Sequence, residues 1–184
     1  FDQSGYDLGE LLKDIDNPGT LRKVGPSLRH GASKEGFEFL YDWIRNPTDF
    51  RPTTRMPRFF GLWQHLEPGS APLHESQRLE PIEIRAIAEF LLQESQPFEY
   101  LPRPDEVTES PSAERGKAIF QTRGCLACHS HDAFPEIHQP FGPDLSRVGA
   151  KFDSAEGARW LYTWIRDPSS YDPRTTMPDL FLDP

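Results

Sequence analysis

Apolar residues in this chain cluster at helical spacing, and the clusters are separated by long polar, proline-rich stretches. Between Leu79 and Gln93, the residues Ile82, Ile84, Ala86, Ile87, Phe90 and Leu91 form a wide apolar face, with Pro81 near the start. That spacing predicts a helix. A second is predicted from Ser110-Pro111, a cap followed by proline at the first helical position. It continues through Ala113, Ala118, Ile119 and Phe120 and can end at Gly124. Two shorter helices should stop at Asn46-Pro47 and at Asp167-Pro168, because the residue before proline avoids the helical region. In the later one Leu161, Trp164 and Ile165 share a face, which points to core packing. With 19 Pro and 13 Gly, the expectation is an all-α fold of short helices joined by long loops.

The pattern occurs twice. The first copy has Gly25-Pro26-Ser27-Leu28, then Phe39 to Pro47 with Trp43-Ile44-Arg45, then Thr54-Arg55-Met56-Pro57. The second has Gly142-Pro143-Asp144-Leu145, then Trp160 to Pro168 with Trp164-Ile165-Arg166, then Thr175-Thr176-Met177-Pro178. The copies lie about 120 residues apart, the mark of a duplication. They are unequal. Only the second follows a cysteine motif, and only the first is followed by the helix around 81–93. Between them, the prolines and acids from Gln96 to Pro111 predict an extended, solvated linker.

Composition narrows the partners. A net charge of −9 leaves no basic face for nucleic acid and favours a partner with a cationic patch. No stretch approaches the roughly 18 apolar residues of a membrane span. The first residue is Phe1, so the sequence reads as a mature or excised segment of an exported protein.

The motif is Cys125-Leu126-Ala127-Cys128-His129. Cys-x-x-Cys-His is the attachment string of a c-type haem, which takes both thiols as thioethers and the imidazole as an iron ligand. Two other chemistries use such thiols. A redox dithiol would want a βαβ setting, and none is visible. A zinc site would need further ligands; with no other cysteine in the chain, His131 and His138 could make up the count.

With these strings in view, residues 112–184 resemble a class I cytochrome c: N-terminal helix, haem motif, Gly-Pro-x-Leu loop and methionine loop. Residues 1–100 resemble the later part of the same kind of domain, without a haem motif, and 101–111 form the linker. The Trp-Ile-Arg-Asp-Pro and Thr-Met-Pro strings resemble the cytochrome domains of oxidase subunits and of large bacterial haem proteins. Three arrangements account for the unequal halves: a cut from a tandem array, a first domain that lost its haem, or a permuted unit. In the last, the helix at 81–93 packs on that at 111–123, crossing at Gly116 and Phe120.

The resemblance implies one haem c on Cys125, Cys128 and His129. The Pro143 carbonyl orients the imidazole, and Pro143 and Leu145 lie in the loop beside the haem. Met177 becomes the sixth ligand, on a loop that its neighbouring prolines keep from turning helical. The plain alternative for Met177 is a buried core methionine. His131 and His138 are rival sixth ligands, or simply surface histidines. Met56 would ligate a second haem only if another Cys-x-x-Cys-His supplied it, and is otherwise an apolar anchor. Trp164 and Arg166, with counterparts Trp43 and Arg45, are either core residues or partners of a haem propionate.

The resulting expectation is electron transfer by a His/Met haem, within a larger exported, periplasmic redox protein or complex. The first rival is a five-coordinate haem enzyme acting on peroxide or another small ligand, helped by His138 or Arg174. The second is a haemless docking module for residues 1–100.

Overall fold

Prolines 47 and 168 end two helices at the same point of the repeat, and the fold is organised around that pair. In a computed structural model, which describes residues 25–103, 109–139 and 141–182, the helices are α1 (Phe37–Arg45), α2 (Ala71–Gln93), α3 (Ala113–Thr122), α4 (Val148–Lys151), α5 (Ala155–Arg166) and α6 (Pro168–Tyr171). Single 3₁₀ turns lie at Gly31–Ser33, Pro47–Asp49, Trp63–His65 and Cys125–Ala127. The described residues are all-α and contain no strand. None of their helices is long and apolar enough to cross a membrane.

Two helix starts differ from the apolar pattern. α2 begins at Ala71, about two turns early. The Ser70 hydroxyl accepts the Leu73 N–H at 3.3 Å and Pro72 sits in the first turn. Pro81 therefore lies inside the helix and deletes one backbone hydrogen bond, a loss offset by burial of Ile84 and Ala88 on the next two turns. α3 begins at Ala113, capped by Ser112 and not Ser110, with Ser112 Oγ accepting from Arg115 N at 3.3 Å.

The core lies in the first half. Leu40 and Ile44 of α1 pack on Ile84 and Ala88 of α2, with Phe37, Tyr41, Phe60, Leu91 and Leu92 around them. In the second copy the buried residues of α5 are Gly157, Trp160 and Thr163, so the expected Leu161–Trp164–Ile165 face is not the buried one. The reason is the missing cover. Ile44 is 8% exposed beneath α2, whereas its counterpart Ile165 is 39% exposed on a helix that packs chiefly on α6 and the Gly31–Ser33 turn. Ile84→Ala should therefore cost about 2–5 kcal/mol. Ile165→Ala should cost within about 0.5 kcal/mol of nothing. Urea midpoints of the two variants check the contrast.

The repeat is also a repeat of hydrogen bonds. Gly31 N donates to Leu28 O at 3.3 Å, and Val148 N to Leu145 O at 3.1 Å. Thr54 N donates to Arg51 O and Thr175 N to Asp172 O, both at 2.9 Å. Pro47 and Pro168 are both fully buried. Each copy carries an aromatic triad, Phe39–Trp43–Phe50 and Trp160–Trp164–Tyr171.

The two copies meet through reciprocal contacts, as across a two-fold axis. The Lys34 ammonium lies 4.7 Å from the Trp160 ring, and that of its counterpart Lys151 lies 4.5 Å from the Phe39 ring. Likewise His30 approaches Tyr171, and Arg147 approaches Phe50 and donates to Asp49 O at 2.8 Å. Glu35 breaks the symmetry, pairing with Lys151 at 3.0 Å and Lys34 at 3.3 Å.

The stretch from Gln96 is extended but, up to Leu101, is held against both copies and is not a solvated linker. Gln96 N donates to Arg29 O, Tyr100 OH to Ser33 O, and Leu101 N to Thr163 Oγ1. Phe98 touches the rings of His30 and Tyr171. Residues 1–24 of the first segment and 104–108 of the linker lie outside the described residues.

Burial disfavours the charged form of Glu35, but the Lys34 and Lys151 ammoniums more than offset this and hold its carboxyl below the ordinary 4.5. A lowered acid contributes stability that is complete above 4.5 and is lost as pH falls through the lowered value. Urea midpoints measured from neutral to acid pH should thus fall less steeply in Glu35→Gln than in the parent, with the difference confined to the region below 4.5.

Candidate cofactor site around Cys125 to His129

Gly124 ends α3 in the left-handed conformation, φ 85°, which an L side chain adopts only with strain. From there the chain enters the turn Cys125–Ala127, where Cys128 N and His129 N both reach back to Cys125 O, at 3.2 and 3.0 Å. Both cysteines are free thiols. Cys125 is half-buried, and burial pushes its thiol pKa up. Cys128 is exposed.

His129 is oriented by the Gly-Pro loop. Its Nδ1 lies 2.8 Å from Pro143 O, so Nδ1 carries the proton and Nε2 keeps its lone pair for a ligand. Gly142 makes this approach possible. A Cβ there would sit 2.5 Å from two atoms of the His129 ring and 2.9 Å from Cys128 O. Gly142 N also donates to Cys128 O at 2.7 Å, and Leu145 N to Ser130 O at 3.0 Å, stitching the loop to the motif. Asp144 Oδ1 accepts from Ser146 N at 2.8 Å; the hydrogen bonds of Ser146 to this carboxyl hold it below its usual value. The Ser146 hydroxyl accepts from Asp132 N at 2.9 Å. Apolar periodicity could not reveal the roles of Gly142, Ser130 and Ser146. The adjacency of Gly and Pro in the loop is the only local signal.

Met177 is half-buried on its loop, and its N–H is held by Thr175 Oγ1 at 3.1 Å. Met56 has the same local bond, to Thr54 Oγ1 at 3.2 Å, and its sulfur accepts the Trp43 indole N–H at 3.0 Å. Trp43 thus serves a methionine and not a carboxylate. Its counterpart Trp164 stacks on Trp160 at 5.2 Å. Arg166 is half-buried and makes no ion pair among the described residues.

The remaining candidates are placed elsewhere. His131 Nδ1 accepts the Ala133 N–H at 2.9 Å, and its ring meets Phe120 and Phe134 edge-on, which holds it in a local turn. His138 is exposed. The crossing expected of a permuted unit is not formed. A Cβ at Gly116 would meet nothing within 4 Å, and Phe120 stacks on Phe134 rather than on α2. Among the described residues no three His, Cys, Asp or Glu converge as a metal ion would need.

Two thiols a single turn apart, beside an imidazole with Nε2 free, could hold a haem through two thioethers and one axial bond. α3 has no buried residue, and Ile119, Phe141 and Phe181 are 50, 75 and 83% exposed; the first copy likewise exposes Phe59 and Phe90, at 67 and 61%. Comparisons with protein-family models, with curated proteins and with solved structures find no match.

Proposed function

We propose that this chain is an electron-transfer unit built on a class I cytochrome c plan. A single haem c would be held by Cys125 and Cys128 through thioethers and by His129 and Met177 at the iron. The observation that carries this reading is the His129 Nδ1 contact to Pro143 O, made beside two free thiols, since it prepares Nε2 for iron. When bound, haem supplies a one-electron couple.

The chain's own residues do the rest. Pro143 fixes the tautomer and plane of His129. Gly142 lets the loop close over the ring. Thr175 holds the Met177 backbone N–H on its loop. With His129 and Met177 both holding the group, no position would be left open for a substrate, which would suit electron transfer better than chemistry on a substrate. The acidic surface suits a redox partner with a basic patch, met through a small transient interface in the periplasm or another extracytoplasmic space. Residues 1–100 serve as a structural partner within a larger redox protein.

Intact mass under denaturing conditions, with the absorption spectrum of the same sample, tests the reading. The expected result is polypeptide plus one haem with a low-spin spectrum, reverting to bare polypeptide in Cys125→Ala/Cys128→Ala. A wild-type mass of bare polypeptide, after expression with haem attachment machinery present, would overturn it.

A further inference from the structure

α2 is apolar on two opposite faces, and the core uses only one of them. Ile84 and Ala88 face α1. On the other side Leu79, Ile82, Ala86 and Phe90 recur at helical spacing and form one continuous stripe. Ile82, Ala86 and Phe90 are all exposed. A helix apolar on both sides is suited to being covered on both.

Towards its N-terminal end the stripe runs into a groove of about 440 Å³. One wall is α2, with Pro72 and Leu79; the other is the loop 59–66, with Phe59, Leu62 and Trp63. Hydrogen bonds hold the two walls together. Glu80 Oε2 accepts the Gly61 N–H at 2.6 Å and the Trp63 indole N–H at 3.0 Å, which pins the loop to the helix. Arg58 braces the loop from its own side, donating to Phe60 O at 2.7 Å and to Gly61 O at 3.3 Å.

The rim is anionic. Glu75 and Glu83 line the groove with Glu80, and none of the three makes an ion pair among the described residues. The basic side chains of the loop are Arg58, engaged by those carbonyls, and His65. On α2, Arg85 pairs with Glu89, and neither Arg78 nor His74 lines the groove. An apolar floor edged by unpaired carboxylates is complementary to apolar side chains flanked by lysine or arginine, and it repels an anionic lipid surface.

We infer that this groove is the docking site of a partner protein, which seats in it an apolar segment flanked by lysine or arginine. Phe59, Leu62 and Trp63 receive the apolar side chains, and Glu75, Glu83 and the second oxygen of Glu80 receive the cations. The inference deepens the functional reading above, and rests on it for the partner's being a redox protein. It makes the first copy the docking half and leaves the proposed haem to the second.

The experiment titrates the full chain with a synthetic peptide of leucine and lysine at amphipathic helical spacing, and with the same peptide carrying glutamate for lysine. The readout is the NMR resonance of the Trp63 indole N–H, identified by its absence in Trp63→Phe. The lysine peptide should move it saturably, with an affinity that falls as salt is added, and the glutamate peptide should not. Phe59→Ser should weaken binding by about tenfold. Glu75→Gln/Glu83→Gln should weaken it by about fivefold and flatten the salt dependence. All three positions are exposed, so both variants should keep the parent melting temperature, measured alongside. A resonance that does not move, or one affinity shared by the wild type and both variants, overturns the proposal. Sedimentation should find a monomer; a dimer that Phe59→Ser dissociates would give the groove to a second copy of the chain and overturn it too. A denatured mass without haem would fail the functional reading alone, because the titration reads peptide binding with or without haem.

Discussion

On the proposed His/Met haem, Met177→Ala should turn the oxidised protein from low-spin to high-spin and abolish its sulfur-to-iron charge-transfer absorption. It also lowers the reduction potential by on the order of 0.1–0.3 V, part of the roughly 0.8 V range over which axial ligands act. The sign follows from ligand chemistry. A thioether favours ferrous over ferric iron, and losing it removes that preference. The loop itself should survive, because its backbone is held by Thr175 and Asp172 and not by the side chain. Met56→Ala is the matched control. Its sulfur is held by Trp43 in the first copy, so this change should leave the spectrum untouched. Optical spectra of both variants, with a redox titration, make the comparison. A wild-type oxidised spectrum retained in Met177→Ala would leave the sixth position to another group, and a high-spin wild-type spectrum would favour the five-coordinate enzyme.

Gly142→Ala should be the most damaging substitution that adds only a methyl group. The new Cβ would lie 2.5 Å from Nδ1 and Cε1 of His129 and 2.9 Å from the Cys128 carbonyl. Both neighbours are constrained, the ring by Pro143 O and the carbonyl by Gly142's own N–H. Relief requires the loop to lift, which breaks those two hydrogen bonds, or the ring to turn, which misdirects Nε2. A loss of about 2–4 kcal/mol follows from two hydrogen bonds and the accompanying overpacking. Haem content per chain should fall with it. Gly116→Ala provides the contrast. Nothing lies within 4 Å of its Cβ, and the residue is inside α3, so alanine should raise stability by up to about 1 kcal/mol. Denaturant midpoints and haem absorbance per polypeptide check both.

What the chain determined locally was legible without coordinates. The Cys-x-x-Cys-His string is contiguous, and the chemistry proposed for it depends on spacing within one turn. The repeat is written in matched strings, and its folded form repeats the same short-range hydrogen bonds, because identical turns follow from identical proline and threonine positions. The ends of α1 and α5 were equally local, set by the proline that follows each. The start of α2 was missed because its first two turns carry little apolar periodicity, although the Ser70 cap and Pro72 were there to be read. Tertiary structure alone decided the rest. Whether Ile44 or Ile165 is buried depends on a helix far along the chain that covers one and not the other. Likewise Lys34, Trp160, Lys151 and Phe39 are unremarkable apart, and meet only because the two copies face each other. Periodicity records which side of an element is apolar. It does not record what lies against that side, and both burial and the pairing of charge depend on the neighbour.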